Sequence, residues 1–474
     1  MKLECLPEPR LVFARGEHVC PRMGISAYGV FDKSASVRRE QINVGGVGTG
    51  QCLEGLSCWL ELCRHVIDAP DDKRQTGLFP SFCGFNRFSG FAAEFVYETE
   101  LARQLKASEL DQILAISSFQ ERVAAAVALY YDHVKFLIQN RPVDVVVCVI
   151  PERLYEKIAY EERAPGDETI ESSVDVSSSE INFRRALKAR AMHLGKPLQL
   201  TRANSLESNK RGLQDDATKA WNFCTALYYK AGPTVPWKLA TDHGKPTTCA
   251  VGIAFYRSRD RSILDTSLAQ IFDELGNGLI LRGTPVTVDK DDRVPKLKAD
   301  QAFDLLKAAL TEYRVAMRNF PARVVVHKSS NFSSEEIDGF NQAGRSLGID
   351  SVDLVSILDS KIRVFRDGSY PPYRGSLVQI GPQQHVLYTR GSVPYYATYP
   401  GLYVPQPIEF RTSQSDEPPA FIAREILGLT KMNWNNTQFD GKYPVTLGCA
   451  RKVGEVLKYL DEGERPQVRY GFYM

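Results

Sequence analysis

No two of the ten cysteines stand in a C-x-x-C pair, and they are scattered from Cys5 to Cys449. That scatter excludes a disulfide framework and a zinc ribbon, and points to reduced intracellular thiols. The seven histidines show no metal-ligand spacing either. Charge of one sign is also missing: 59 Lys and Arg against 57 Asp and Glu leave a formal charge of +2. Any polyanion partner must then be held by a local patch and not by the field of the whole molecule. No apolar run reaches the roughly 18 residues that span a bilayer. The opening MKLECLPEPRLVF has no apolar signal-peptide core. The expected location is cytoplasmic, with no membrane partner.

What is present is enough for a large core, with 43% hydrophobic and 24% charged residues. The length suits two larger domains or three ordinary ones. QINVGGVGTG leading into QCLEGLSCWLELCRHVI spells strand, glycine turn and helix. VGGVGTG invites a nucleotide-loop reading, but it lacks the Lys-Ser/Thr of a P-loop and the G-x-G-x-x-G spacing, so a tight turn is favoured. ASELDQILAISSFQERVAAAVALYYDHVKFLIQN is expected to be one long helix ending before Pro142, and VDVVVCVIP a buried parallel strand. The polar stretch from Tyr160 to Glu180 reads as a loop. After it come a helix in INFRRALKARAMHLG, a strand in KPLQLT and a helix in DDATKAWNFCTALYYKAGP. This alternation predicts a Rossmann-like α/β domain.

The order changes beyond a boundary placed between Pro236 and Gly244. TTCAVGIAFYRS, SILDTSLAQIF and GLILRG read as strands, KADQAFDLLKAALTEYRVAMRN as a helix and ARVVVHKSS as a further strand. A few antiparallel strands, a helix and a parallel strand make the order of the ribonuclease H-like fold. The expected division is residues 1–240 for an N-terminal segment with the Rossmann-like domain, and 241–474 for the ribonuclease H-like domain.

A two-metal nuclease of that fold needs three or four carboxylates converging on divalent cations. The strand centres that should carry them hold Ala254 and Ser329. Asp260, Asp265, Asp273, Glu274, Glu335 and Glu336 fall on loops or helix starts, and the last two, behind Ser333 and Ser334, read as a helix cap. Metal-dependent cleavage is therefore not expected. His327 and Cys249 lack any partner in the sequence and read as core residues. A basic set is more informative. Arg184 and Lys188 are i,i+4 neighbours on one helix face, Gln199 lies on the next strand, and Lys230 closes the helix ALYYK. Converging cations and an amide suit a terminal phosphate. From spacing alone, a solvated basic face is the more frequent outcome.

LGLTKMNWNNTQFDGKYPVTLGCARKVGEVL, from Leu427 to Leu457, resembles the PIWI signature of Argonaute proteins, LT-x-x-NW followed by P-x-x-x-x-x-A. VVVHKSS and PGLYVPQPIEFRT add weaker support. ALKARAM, LQL and KAWNFCTALYYKAG resemble the MID domain that precedes PIWI in short prokaryotic Argonautes. The resemblance covers most of the chain after the first 140 residues or so, and leaves no room for the N and PAZ domains of long Argonautes.

The resemblance implies that Arg184, Lys188, Gln199 and Lys230 grip the 5′ phosphate of a guide strand, with Arg184 replacing the commoner Tyr or His. It implies that the C-terminal carboxylate, here Met474, joins them through Mg2+. The catalytic tetrad would fall at Ala254, a glutamate finger near Glu274, Ser329 and Arg451, so the PIWI domain should bind without cutting. Lys431, Asn433, Asn435 and Asn436 are expected to meet the nucleic-acid backbone. The implied function is guide RNA-directed recognition of complementary single-stranded DNA. Output would pass to a separate APAZ-containing effector subunit that depletes NAD, with a sirtuin-like domain favoured over a TIR domain, in prokaryotic defence against plasmids and phages. Two other readings stay open: a guide-dependent metal nuclease with a non-standard carboxylate set, and a scaffold that binds its partner without nucleic acid.

Overall fold

The structure, a computed structural model, describes all residues except 1, 71–76, 159–181, 209–211, 213, 233, 241–246, 259–263, 272–277, 287–293, 366, 368–370, 400–403, 439 and 461–463. The expected loop from Tyr160 to Glu180 lies outside the described residues. So does Glu274.

The chain begins with strand β1 (Lys2–Cys5), which belongs to the second of two large sheets. The first sheet contains β2 (Gln41–Gly48), β3 (Glu94–Val96), β4 (Ala102–Gln104), β5 (Val145–Ile150) and β6 (Leu198–Arg202). They pair in parallel in the order β3-β2-β5-β6, with β4 also on β2. Parallel pairing needs long crossovers, and here they carry α1 (Gly50–Arg64), α2 (Phe119–Asn140) and α3 (Phe183–Ala191), with α4 (Asp216–Ala231) following β6. The odd-numbered residues of β5 pack with α1 and α4, and the even-numbered ones with α2 and α3. Covered on both faces, β5 is buried along its whole length, which is why VVVCVI does not alternate. This Rossmann-like domain starts at β2, well before the stretch after about residue 140 that the resemblance covers.

Two expectations change here. The single helix expected over residues 107–140 is two helices, Ala107–Leu114 and α2. Ser118 starts the second, its hydroxyl accepting from the Glu121 amide at 3.4 Å. Gly45, Gly46 and Gly48 of VGGVGTG lie within β2 rather than in a turn, while Gly50 opens α1. A Cβ at Gly46 would fall 2.7 Å from the Tyr97 hydroxyl oxygen, so the strand glycines serve close packing.

The second sheet has nine strands among the described residues. After β1 come β7 (Thr248–Arg257), β8 (Leu264–Ile271), β9 (Gly278–Arg282), β10 (Arg323–Lys328) and β11 (Ser351–Asp359). They are followed by β12 (Ser376–Gln379), β13 (Gln384–Leu387) and β14 (Ile408–Gln414). The spatial order is β1-β12-β13-β14-β11-β10-β7-β8-β9. β7, β8 and β9 are antiparallel, whereas β10 and β11 run parallel to β7, which is the ribonuclease H-like core. One face packs on α5 (Ala299–Met317) and α6 (Ser334–Ser346), the other on α7 (Pro419–Leu429) and α8 (Val445–Leu457). α6 opens as expected, with Ser333 and Glu336 capping each other's amides at 3.2 and 2.8 Å.

The expected boundary falls between the short strand Lys238–Leu239 and β7. Two features cross it: β1 pairs with β12, and one apolar cluster runs from α1 and α4 through to α8. No helix among the described residues is long and apolar enough to cross a membrane.

Candidate functional site

Several elements end at one point. Asn182 caps α3 by accepting from the Arg185 amide at 3.2 Å, and Phe183 and Leu187 turn inward. Arg184 and Lys188 are left on the opposite side. Arg184 stays exposed and donates from Nη2 to the Leu200 carbonyl of β6 at 3.1 Å. Lys188 donates to the main-chain oxygen of Met474. Lys230, buried in the last turn of α4, donates to the same oxygen at 3.1 Å and to Gln199 Oε1 at 2.5 Å. The terminal segment is tied down by Arg469, which donates to the Tyr229 carbonyl at 2.7 Å. The structure thus brings together Arg184, Lys188, Gln199, Lys230 and Met474.

Neither lysine has a carboxylate side chain as an ion-pair partner among the described residues. Loss of water around the ammonium is the main influence on each. It pulls Lys188, with help from the Lys230 and Arg184 charges, well below the usual lysine range. It pulls Lys230 down to about 7, with repulsion from Arg184 and Lys452 adding to the effect. Lys452, exposed on α8, therefore shares this field, although nothing in its sequence setting singled it out. Cations gathered without a carboxylate side chain, beside an amide and the terminal oxygen of Met474, suit a compact multiply charged oxyanion.

The expected Mg2+ would have its protein ligands at this same point. A divalent cation of this kind requires several hard oxygen ligands. The Gln199 and Met474 oxygens already accept from ammonium groups. Among the described residues, no group of three or more His, Cys, Asp or Glu could hold a metal ion. The protein's own oxygen donors at this point are the Met474 terminal oxygen and Gln199 Oε1, and no step below uses the cation.

Three of the tetrad positions, Ala254, Ser329 and Arg451, lie around the middle of α8 and the strands beneath it. Ile253 of β7 and Lys328 of β10 form the last pair of that register, and Ala254 and Ser329 are the residues that follow them. α8 lies directly over β7: a Cβ at Gly252 would fall 2.3 Å from the Thr446 carbonyl, and one at Gly454 would meet Tyr256 at 2.9 Å. Between these contacts Ala450 joins the core cluster of Ala254, and Arg451 follows it, exposed, with its guanidinium 4.4 Å from the Tyr443 ring centroid. Two carboxylates among the described residues are engaged elsewhere. Asp265 pairs with Arg282 at 3.2 Å, and Asp359 with Lys442 at 2.7 Å.

The expected backbone-binding set needs correction. Lys431 is wholly buried: its ammonium is 2.6 Å from Glu8 and donates to the Pro9 and Val19 carbonyls at 2.5 and 2.9 Å. It cannot reach a phosphate without leaving that pocket. Asn433 and Asn436 shape the following turn, accepting from the Asn435 and Gln438 amides at 3.2 and 3.1 Å. Both line a pocket of about 80 Å³ with Tyr443, Cys449, Lys452 and Tyr470. Asn435 is half-buried and is not among those lining residues.

No family model matches the sequence. No curated protein matches it either. Solved structures do match. Clostridium butyricum Argonaute bound to a guide DNA and a 19-mer target DNA superposes with a TM-score of 0.68 and 16% identity, over 99% of this chain and 54% of that one. Drosophila Piwi gives a TM-score of 0.60 and 13% identity, over 100% of this chain and 56% of that one. Marinitoga piezophila Argonaute, in complex with a 5′-hydroxyl guide RNA, gives 0.58 and 12% identity, over 99% and 59%. The fold is thus that of Argonaute and Piwi proteins, a Rossmann-like domain followed by a ribonuclease H-like one. The chain spans just over half the length of each of these structures.

Proposed function

We propose that this chain is a short Argonaute that anchors the 5′ phosphate of a guide RNA and recognises complementary single-stranded DNA without cutting it. The observation carrying this reading is the pair Lys188 and Lys230, which meet at the terminal oxygen of Met474 with no carboxylate side chain between them. Base pairing would supply sequence specificity, while the protein reads backbone shape and charge, as other guided systems do. Because the tetrad positions hold Ala254, Ser329 and Arg451, recognition needs a second protein to have an effect. On this proposal that protein is an APAZ-containing effector which depletes NAD, sirtuin-like or else TIR, in defence against plasmids and phages.

The deciding experiment is a cleavage assay with Mg2+ or Mn2+ on a strand matched to the loaded guide. No product above background is expected. Specific cuts that disappear on Glu274→Gln would establish the nuclease reading instead. Chain purified free of short 5′-phosphorylated RNA, and unable to bind it, would favour the plain scaffold.

Phosphate binding should also be linked to protons. An ordinary lysine titrates near ~10.4. Lys230 at about 7 is therefore mostly neutral at pH 8 in the free protein. An arriving phosphate dianion restores its charge, so binding takes up a proton. Affinity for a 5′-phosphorylated guide is expected to fall between pH 7 and 9 by up to about tenfold per unit. Below about 6 the phosphate itself gains a proton and affinity falls again. Calorimetry at pH 8 in buffers of different ionisation enthalpy, with EDTA present, measures the uptake. A 5′-hydroxyl guide should show none. The folded protein alone follows the related rule: it binds fewer protons than the unfolded chain from about pH 7 to ~10.4, so this lysine makes stability rise with pH across that window.

A further inference from the structure

The loop between Gly84 and Ala92 alternates its aromatics in an unusual way. Phe85 and Phe91 are fully buried, and Phe85 stacks on Phe95 with ring centroids 3.9 Å apart. Phe88, between them, is 99% exposed. The loop is nevertheless firmly built. Asn86 Oδ1 accepts from the Phe88 and Ser89 amides at 2.9 and 3.0 Å, and its Nδ2 donates to the Arg64 carbonyl at 2.7 Å. The Val30 amide reaches the Gly90 carbonyl at 3.0 Å, and the Phe85 amide the Cys63 carbonyl at 2.7 Å. Phe88 is thus held out by an ordered frame. A hydrophobic side chain presented this way loses little conformational freedom when it is covered. The segments fastened to this loop each show another apolar residue: Val66 and Val37, both 63% exposed.

Charge decides what kind of partner fits. Among the described residues, the arginines around the loop already have a carboxylate: Arg87 with Glu94 at 2.6 Å, Arg64 with Glu61 at 3.3 Å, Arg39 with Asp144 at 2.9 Å and Arg38 with Glu40 at 3.5 Å. A polyanion gains little from cations that are already neutralised, so base stacking on Phe88 lacks the electrostatic support that single-strand binding uses. A protein with an apolar pocket suits the patch, because buried aromatic anchors dominate such contacts.

We infer that Phe88 is the anchor by which a second protein subunit, offering a pocket for one aromatic side chain, docks on the Rossmann-like domain. This rests on the reading that the output lies in a separate effector subunit. The test co-expresses the chain with the proposed APAZ-containing effector subunit and measures complex formation by co-purification and titration. Phe88→Asp is expected to weaken the complex about 30-fold or more, Phe88→Leu to retain it, and the association to change little with salt. Thermal unfolding of Phe88→Asp alone should match the parent, since the side chain touches no core. A complex equally tight with Phe88→Asp would overturn the inference while leaving the effector reading intact. Failure of the parent chain to form any complex would remove both. Loss of guide or target binding by Phe88→Asp, with the complex unaffected, would assign the loop to nucleic acid and overturn the inference.

Discussion

Replacing both Lys188 and Lys230 by alanine is expected to lower affinity for a 5′-phosphorylated guide by about 100-fold or more. Charge-assisted hydrogen bonds of this kind are worth about 1.5–3 kcal/mol each. The two ammonium groups converge on one oxygen, so a phosphate placed there would accept from both. The loss should be confined to the 5′ phosphate. A guide ending in a hydroxyl should bind the parent and the variant alike, and the salt dependence of loading should be shallower in the variant. Stability should move much less. The free protein holds two desolvated lysines with no carboxylate side chain beside them, so removing them relieves one cost but strips the Met474 oxygen and Gln199 Oε1 of their donors, and the melting temperature should stay close to the parent's. Anisotropy titrations with both guides, alongside thermal melts, check all of this. An equal loss on both guides would make these lysines a general basic surface, the outcome that spacing alone favoured.

That contrast shows how far the sequence could be read. The domain order was legible because it rests on local patterns: VVVCVI could only be a strand covered on both faces, and Ser333 followed by Glu336 could be read as a helix cap. Arg184 and Lys188 were legible as a pair because they share a helix face. That Gln199, Lys230 and Met474 meet them depends on contacts from residues 188 and 230 to residue 474, which no local pattern encodes. The same limit explains the errors. The two serines before Phe119 are weak signals inside a long amphipathic pattern, so the break between the two helices was missed. Phe88 looks like any other residue of GFNRFSGFA, since exposure is decided by the Asn86 contacts. Lys431 sits in a polar, asparagine-rich stretch that resembles an exposed binding loop. Its partner Glu8 lies at the far end of the chain.

Lys431→Met should therefore act on folding and not on nucleic acid. Glu8 is held by two cations, Arg374 at 3.0 Å and Lys431 at 2.6 Å, and the same lysine satisfies the Pro9 and Val19 carbonyls. Burial pulls the Lys431 ammonium down to about 8 even though the Glu8 charge opposes that shift, so the lysine remains mostly charged at neutral pH. Removing one partner of a buried ion group leaves the rest uncompensated, which costs about 3–5 kcal/mol. The lower end is expected here because Arg374 remains beside Glu8. The damage should be greatest where this group holds the N-terminal segment, so β1 and its pairing with β12 should lose hydrogen-exchange protection first. Measured per folded molecule, affinity for a 5′-phosphorylated guide should stay within about twofold of the parent, since Lys431 is no part of the Lys188–Lys230 cluster. A Lys431→Met protein that melts with the parent but binds guide weakly would return this residue to the nucleic-acid channel. In that case the buried pairing with Glu8 could not be its main role.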